Sequence, residues 1–207
     1  MVITAPPWMA AVVILLSTFD AIRPVPVTTA ERERVLATLP AKGEVSQLDA
    51  GQRTKLAAVR RVLEPHGREA VYVLTVIDVP QAFVGLHGRA VVLISEPALD
   101  LLDAGQLQAL VAHEIGHEFF WMEYVRARRD DDRAGLRRLE LMCDGIAIVT
   151  LMRAGIDPAR LTSALERVIR YNRDRVGAAL NEDHYPTIAE RRTFNRRLVA
   201  WLSAAQG

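Results

Sequence analysis

The stretch Asp103-Ala104-Gly105-Gln106-Leu107-Gln108-Ala109-Leu110-Val111-Ala112-His113-Glu114-Ile115-Gly116-His117 decides how this chain is read. Leu107, Leu110 and Val111 recur at helical spacing. Asp103 is an N-cap candidate, with Gln106 in capping-box position three residues on. The predicted helix carries on through Glu118, Phe119, Phe120 and Trp121 to about Tyr124. Its core is His113-Glu114-Ile115-Gly116-His117, an H-E-x-x-H pattern. Residues four apart lie on one helix face, a turn above one another. Two imidazoles so placed can bind one zinc ion, and Glu114 then projects beside the metal as a base for a bound water. The alternative is an amphipathic helix with two solvent-facing histidines, but the residues around both are apolar.

A catalytic zinc takes three protein ligands and keeps one position open. The best third ligand is Glu140, in Leu139-Glu140-Leu141-Met142-Cys143-Asp144 on the next long helix. Its neighbours are apolar, and a buried carboxylate must be paired or hold a metal. Asp144, four residues on, shares its face and suits a carboxylate that accepts the second N–H of a ligating histidine. Cys143 reads as a small buried hydrophobe.

Around this centre the chain divides simply. Its 207 residues suit one domain plus a leader, and half are hydrophobic, ample for a core. A net charge of +1 gives no reason to expect a nucleic-acid partner. Cys143 is the single cysteine, so no internal disulfide forms. Met1 to Phe19 has no charged side chain, and Trp8 to Leu16 is apolar throughout, so residues 1–22 read as a signal peptide or membrane anchor and 23–207 as the catalytic domain. That implies an exported or membrane-anchored protein. No lysine or arginine precedes the apolar run, which leaves open a buried segment of a cytosolic protein.

Helices are expected at Ala30–Leu39 and Val45–Leu63, the second ended by Pro65-His66-Gly67, with His66 a surface residue of that turn. The period then changes. Ala70–Val79, Ala82–His87 and Ala90–Ser95 read as strands, with His87 structural. Glu96–Leu102, Leu136–Arg153, Ala159–Arg173 and Pro186–Trp201 follow as helices, with Pro158 in a first turn. The run Arg126 to Arg133 reads as a solvated turn. Helices, a few strands, then helices argue an α+β fold with a small antiparallel or mixed sheet packed on a helical layer.

The ordered motifs resemble the gluzincin metallopeptidases, and among them family M48, which pairs H-E-x-x-H with a later E-x-x-A-D. Here the second motif is Glu140-Leu141-Met142-Cys143-Asp144, with Cys143 where alanine is common. Gln81-Ala82-Phe83-Val84 followed by Ala90–Ser95 resembles the family's edge-strand segment, and Leu101–His117 its lead-in to the zinc helix. Arg153-Ala154-Gly155-Ile156-Asp157-Pro158 resembles its A-G-x-D-P turn. His184-Tyr185-Pro186-Thr187 with Arg191 resembles a late H-P-[ST]-x-x-x-R element carrying one inserted tyrosine. The stretch between His117 and Glu140 is shorter than in many members, which implies no inserted hairpin.

The resemblance implies a zincin-like fold and a zinc-dependent endopeptidase acting on polypeptide substrates, with a role in envelope protein quality control. His113, His117 and Glu140 would hold the metal, and Glu114 would be the base. His184 is the candidate oxyanion donor, with Arg191 an alternative donor or a partner of Glu140, and Tyr185 a weaker donor. The strand near Phe83 would bind an extended peptide by adding it as a further strand. The alternative from another class is a zinc-binding chaperone or adaptor with little turnover. A structural zinc site would require a fourth ligand such as Cys143 or His184.

Overall fold

The computed structural model describes residues 24–39, 47–68, 71–177 and 185–205. The expected leader and His184 lie outside the described residues.

Eight helices and three strands are described. α1 (Thr29–Thr38) is capped by Thr28, and α2 (Ala50–Leu63) by a capping box between Asp49 and Gln52. α2 therefore starts five residues later than the apolar stripe suggests, at the first residue pair able to satisfy its free amides. A 3₁₀ turn, Glu64–His66, leads to Gly67 in left-handed geometry (φ 63°). His66 is not a surface residue: it is buried, its Nε2 lies 2.8 Å from Thr150 Oγ1, and its ring meets Phe119 edge-on. The Thr150 hydroxyl donates to Ile146 O, so His66 Nε2 must be the donor to it.

β1 (Val73–Ile77), β2 (Val84–His87) and β3 (Val91–Ser95) form a mixed sheet in the order β1-β3-β2. β3 is central, parallel to β1 and antiparallel to β2, and is nearly all buried, which is why it reads as a continuous apolar run. Gly88 and Arg89 both have positive φ, as the tight turn between β2 and β3 requires. β2 is left on the edge, the strand positioned to meet a ligand.

α3 (Glu96–Leu101) returns the chain to α4 (Ala104–Phe119), the motif helix, whose expected capping box from Asp103 to Gln106 is formed. The helix does not run unbroken to Tyr124. Phe120 leaves helical geometry (φ −112°, ψ 24°) and α5 (Trp121–Arg129) starts anew. Arg126 to Arg129 are thus helical, and only Asp130–Asp132 form the turn into α6 (Arg133–Arg153), capped by Asp132. α7 (Ala159–Tyr171) runs into a π turn, Asn172–Val176, and α8 (Ile188–Ala205) closes the described fold. This is the expected α+β, zincin-like arrangement, a small mixed sheet on a helical layer. No helix among the described residues is long and apolar enough to cross a membrane.

Two features fix α4 in place. Glu118, fully buried, accepts from Arg68 Nε (2.8 Å) and Tyr72 Oη (2.6 Å), with Arg89 Nη2 at 3.4 Å. On another face, Gly116 packs against α6 so closely that a Cβ there would lie 2.6 Å from Cys143 Cα and 3.0 Å from Cys143 O. Backbone cannot yield as a side-chain tip can, so only glycine fits. Gly105, on the same helix, would meet nothing closer than 3.4 Å. Gly116→Ala should therefore destabilise by about 1–3 kcal/mol through overpacking. Gly105→Ala should be neutral or stabilising by up to about 1 kcal/mol. Urea unfolding of the two variants checks the contrast, and equal effects would show that the helix crossing has slack. Glu118→Ala strands two buried partners and should cost about 3–5 kcal/mol in the same assay.

Candidate metal centre

α4 presents His113 and His117 one turn apart, and their rings meet edge-on with centroids 5.0 Å apart. α6 crosses over them and brings Glu140 to both. Glu140 Oε2 lies 3.3 Å from His113 Nε2, and Oε1 lies 3.6 Å from His117 Nε2. These separations are longer than an ordinary N–H···O bond. They come close to the roughly 3.3 Å between two ligands of one tetrahedral metal with bonds of about 2.0–2.1 Å. His113, Glu114 and His117 also offer ligand atoms all within 4.8 Å of one another. The donor set, two imidazoles and a carboxylate with a second carboxylate beside them, fits zinc.

The two carboxylates differ in what already engages them. Glu114 Oε2 accepts from Leu86 N–H on the sheet edge (2.9 Å). Glu140 is buried, faces both imidazoles, and accepts from Arg191 Nη2 (2.8 Å). Asp144 is fully buried and its Oδ1 lies 2.8 Å from His113 Nδ1 and 2.5 Å from Arg191 Nη1. An ionised carboxylate only accepts, so His113 carries its proton on Nδ1 and turns Nε2 toward Glu140. Arg191 thus touches both acids of α6. It comes from α8, whose first turn is held by reciprocal bonds between Thr187 and Glu190, and Glu190 binds Arg137 of α6 at 2.7 Å.

Burial works against charge on these groups, and pairing outweighs it. Desolvation would lower the pKa of His113, but Asp144 and Glu140 push it up to about 10. Burial would likewise raise that of Glu140, yet His113, His117 and Arg191 hold it below the usual carboxylate range. Arg191 is raised despite burial, by Asp144 and Glu140. In the metal-free chain a proton on His113 thus offsets the negative charge that a cation would otherwise meet.

A cleft of about 380 Å³ opens on this centre. One wall is the edge segment Ala82–Leu86, including Phe83. The other includes Leu165, Val168 and Ile169 of α7 and Asn172 of the π turn. Trp121 and Tyr124, just past the break at Phe120, also line it, with Tyr124 edge-on to His117 at 5.1 Å. Tyr185 lines it too, and burial raises its phenol pKa, with Glu140 adding to the effect. The fold therefore gathers His113, Glu114, His117, Glu140, Arg191 and Phe83 around one cleft, with Asp144 buried behind His113. Asn172 and Leu86 are contributors that sequence reading missed. Asn172 carried no motif signal, and Leu86 contributes through its backbone.

A sign follows from His113. Its folded pKa is raised, so its contribution to stability is complete below its ordinary value of 6.5 and is lost as pH rises through about 10. Metal-free protein should lose unfolding free energy across that window, and His113→Gln should flatten the dependence. Urea melts across the pH range read both. A flat wild-type profile would mean that the imidazole is not held charged.

The family model "Peptidase family M48" matches residues 51–119, from the first turn of α2 to the end of the motif helix. No curated protein gives a match. Over that segment, about a third of the chain, the sequence is similar to the M48 metallopeptidases, and the α+β fold is consistent with that similarity.

Proposed function

We propose that the chain is a zinc-dependent endopeptidase that hydrolyses peptide bonds in extended polypeptides. The observation that carries this reading is the convergence of His113, His117 and Glu140 beside Glu114 at the floor of an apolar cleft bounded by a sheet edge. Glu140 is preferred to Glu114 as the third ligand because both its oxygens face the imidazoles. Glu114 is engaged by the strand instead.

When bound, zinc supplies a Lewis acid and lowers the pKa of a coordinated water. The remaining work belongs to the chain. Asp144 fixes the tautomer and orientation of His113. Arg191 neutralises the excess negative charge of Glu140 and Asp144, which no exposed residue could do in so dry a place. Glu114 takes the proton of the attacking water and returns it to the leaving amine. Tyr185 donates its phenol hydrogen to the developing oxyanion; a phenol is neutral at neutral pH, and burial raises its pKa further. Tyr185 lines the cleft, which supports this role. The stretch Met1 to Phe19, uncharged and apolar throughout from Trp8 to Leu16, supports export or membrane anchoring, and with it a role in envelope protein quality control.

Casein cleavage by zinc-loaded protein tests the activity. Wild type should cleave, lose activity to a chelator and regain it with zinc. Glu114→Gln should bind zinc yet lose about 10²–10⁴-fold in rate. Tyr185→Phe should lower kcat about 10²-fold with little change in KM. A zinc-loaded wild type that cleaves neither casein nor short extended peptides would overturn the reading in favour of a binding protein.

A further inference from the structure

The base of a hydrolase must be aimed, and here the group that aims it belongs to the sheet edge. Just before β2, Ser95 N–H donates to Phe83 O (3.0 Å) while Phe83 N–H turns to Ser95 Oγ (2.9 Å), which sets Phe83 in the bonded phase of the β2–β3 alternation. The ladder alternates, so the peptide groups of Gly85 face β3, and those of Ala82, Val84 and Leu86 face away from it, toward the cleft. Two of these three outward positions are already occupied. Asn172 takes both backbone groups of Ala82: its Oδ1 accepts from Ala82 N–H and its Nδ2 donates to Ala82 O, each at 2.8 Å. Glu114 Oε2 accepts from Leu86 N–H at 2.9 Å. Between them lies Val84, and no described residue takes up its N–H or its carbonyl.

We propose that Leu86 N–H is the positioning donor for Glu114, and that Val84 is the one edge residue at which an extended substrate pairs with both an N–H and a carbonyl. The inference rests on the peptidase reading for its function but on hydrogen bonds of the strand for its geometry. Residues two apart on a strand share a direction and lie about 6–7 Å apart. A substrate backbone paired at Val84 therefore runs beside the carboxylate that Leu86 holds, and register and base position are set by one rigid strand. Asn172 stops the pairing from sliding toward Ala82, and Glu114 stops it from reaching full pairing at Leu86. The strand thus separates two tasks, binding at Val84 and orientation of the base at Leu86.

Backbone amide exchange measured by NMR on the full chain, metal-free and zinc-loaded, tests the contact without recourse to activity. Leu86 N–H should exchange at least about tenfold faster in Glu114→Ala than in wild type, whereas Gly85 N–H, in the ladder, should not change. An unchanged Leu86 amide, or equal acceleration at Gly85, overturns the assignment. Kinetics give an independent arm, because proline is tolerated on an edge strand where its missing N–H faces outward. Leu86→Pro should lower kcat at least about tenfold relative to Leu86→Ala at nearly constant KM. Val84→Pro should raise KM at least about tenfold relative to Val84→Ala with kcat little changed. Indistinguishable proline and alanine variants at both positions overturn the proposal. A chain that takes up no zinc ends the peptidase reading, while the exchange comparison on metal-free protein still decides the contact.

Discussion

Between Gly116 of α4 and Cys143 of α6 there is room for a hydrogen atom and nothing larger. Much of the site's geometry depends on that approach. The imidazoles stand on α4 and the carboxylate that faces them stands on α6, so the distance between helix axes sets the distance between donors. A methyl group at position 116 would hold α6 away at the turn from which Glu140 and Asp144 project. Zinc coordination tolerates displacements of only a few tenths of an ångström, far less than the bulk of a methyl group. Cys143 fits here as a small, fully buried residue whose thiol burial pushes well toward the protonated form, which suits packing and not metal binding.

Charge is managed separately on different faces of α4. Glu118 is balanced by Arg68 and Arg89, and Tyr72 Oη also donates to it. Glu140 and Asp144, brought by α6, are balanced by Arg191 and by His113. Breaking such pairs costs more than forming them gains, because one partner is left charged in a dry interior. Each network therefore acts mainly to forbid other arrangements. Arg68 and Arg89 also donate to the carbonyls of Pro24 and Val25, so the same network fastens the start of the described chain.

Much of this was legible in the sequence because helices display their faces periodically. H-E-x-x-H, the i, i+4 pair Glu140 and Asp144, and the Asp103–Gln106 cap could be read residue by residue. The start of α2 could also have been read, since Asp49 and Gln52 repeat that cap, but the apolar stripe drew the boundary too early. The break at Phe120 could not, because Phe119-Phe120-Trp121 contains no glycine or proline to announce it. His66 looked exposed because Pro65 and Gly67 mark a turn, yet its imidazole reaches inward to Thr150, a partner far along the chain. Arg191 was visible as a candidate, but its double contact depends on how α8 crosses α6. The roles of Leu86 and Asn172 rest on strand register, which side-chain identities do not encode. The M48 match ends at Phe119, so Glu140 rests on its sequence context and on the geometry of the helix crossing.

The central claim is that the third ligand comes across the helix crossing, from Glu140, and not from the motif's own Glu114. Zinc affinity measured by chelator competition on Glu140→Gln and Glu114→Gln, with Gly116→Ala alongside, tests it most directly. The account predicts that Glu140→Gln and Gly116→Ala each weaken zinc binding at least about tenfold and that Glu114→Gln stays within a few-fold of wild type. Strong loss in Glu114→Gln with none in Glu140→Gln would contradict it, and would return the metal to the three residues of the motif itself.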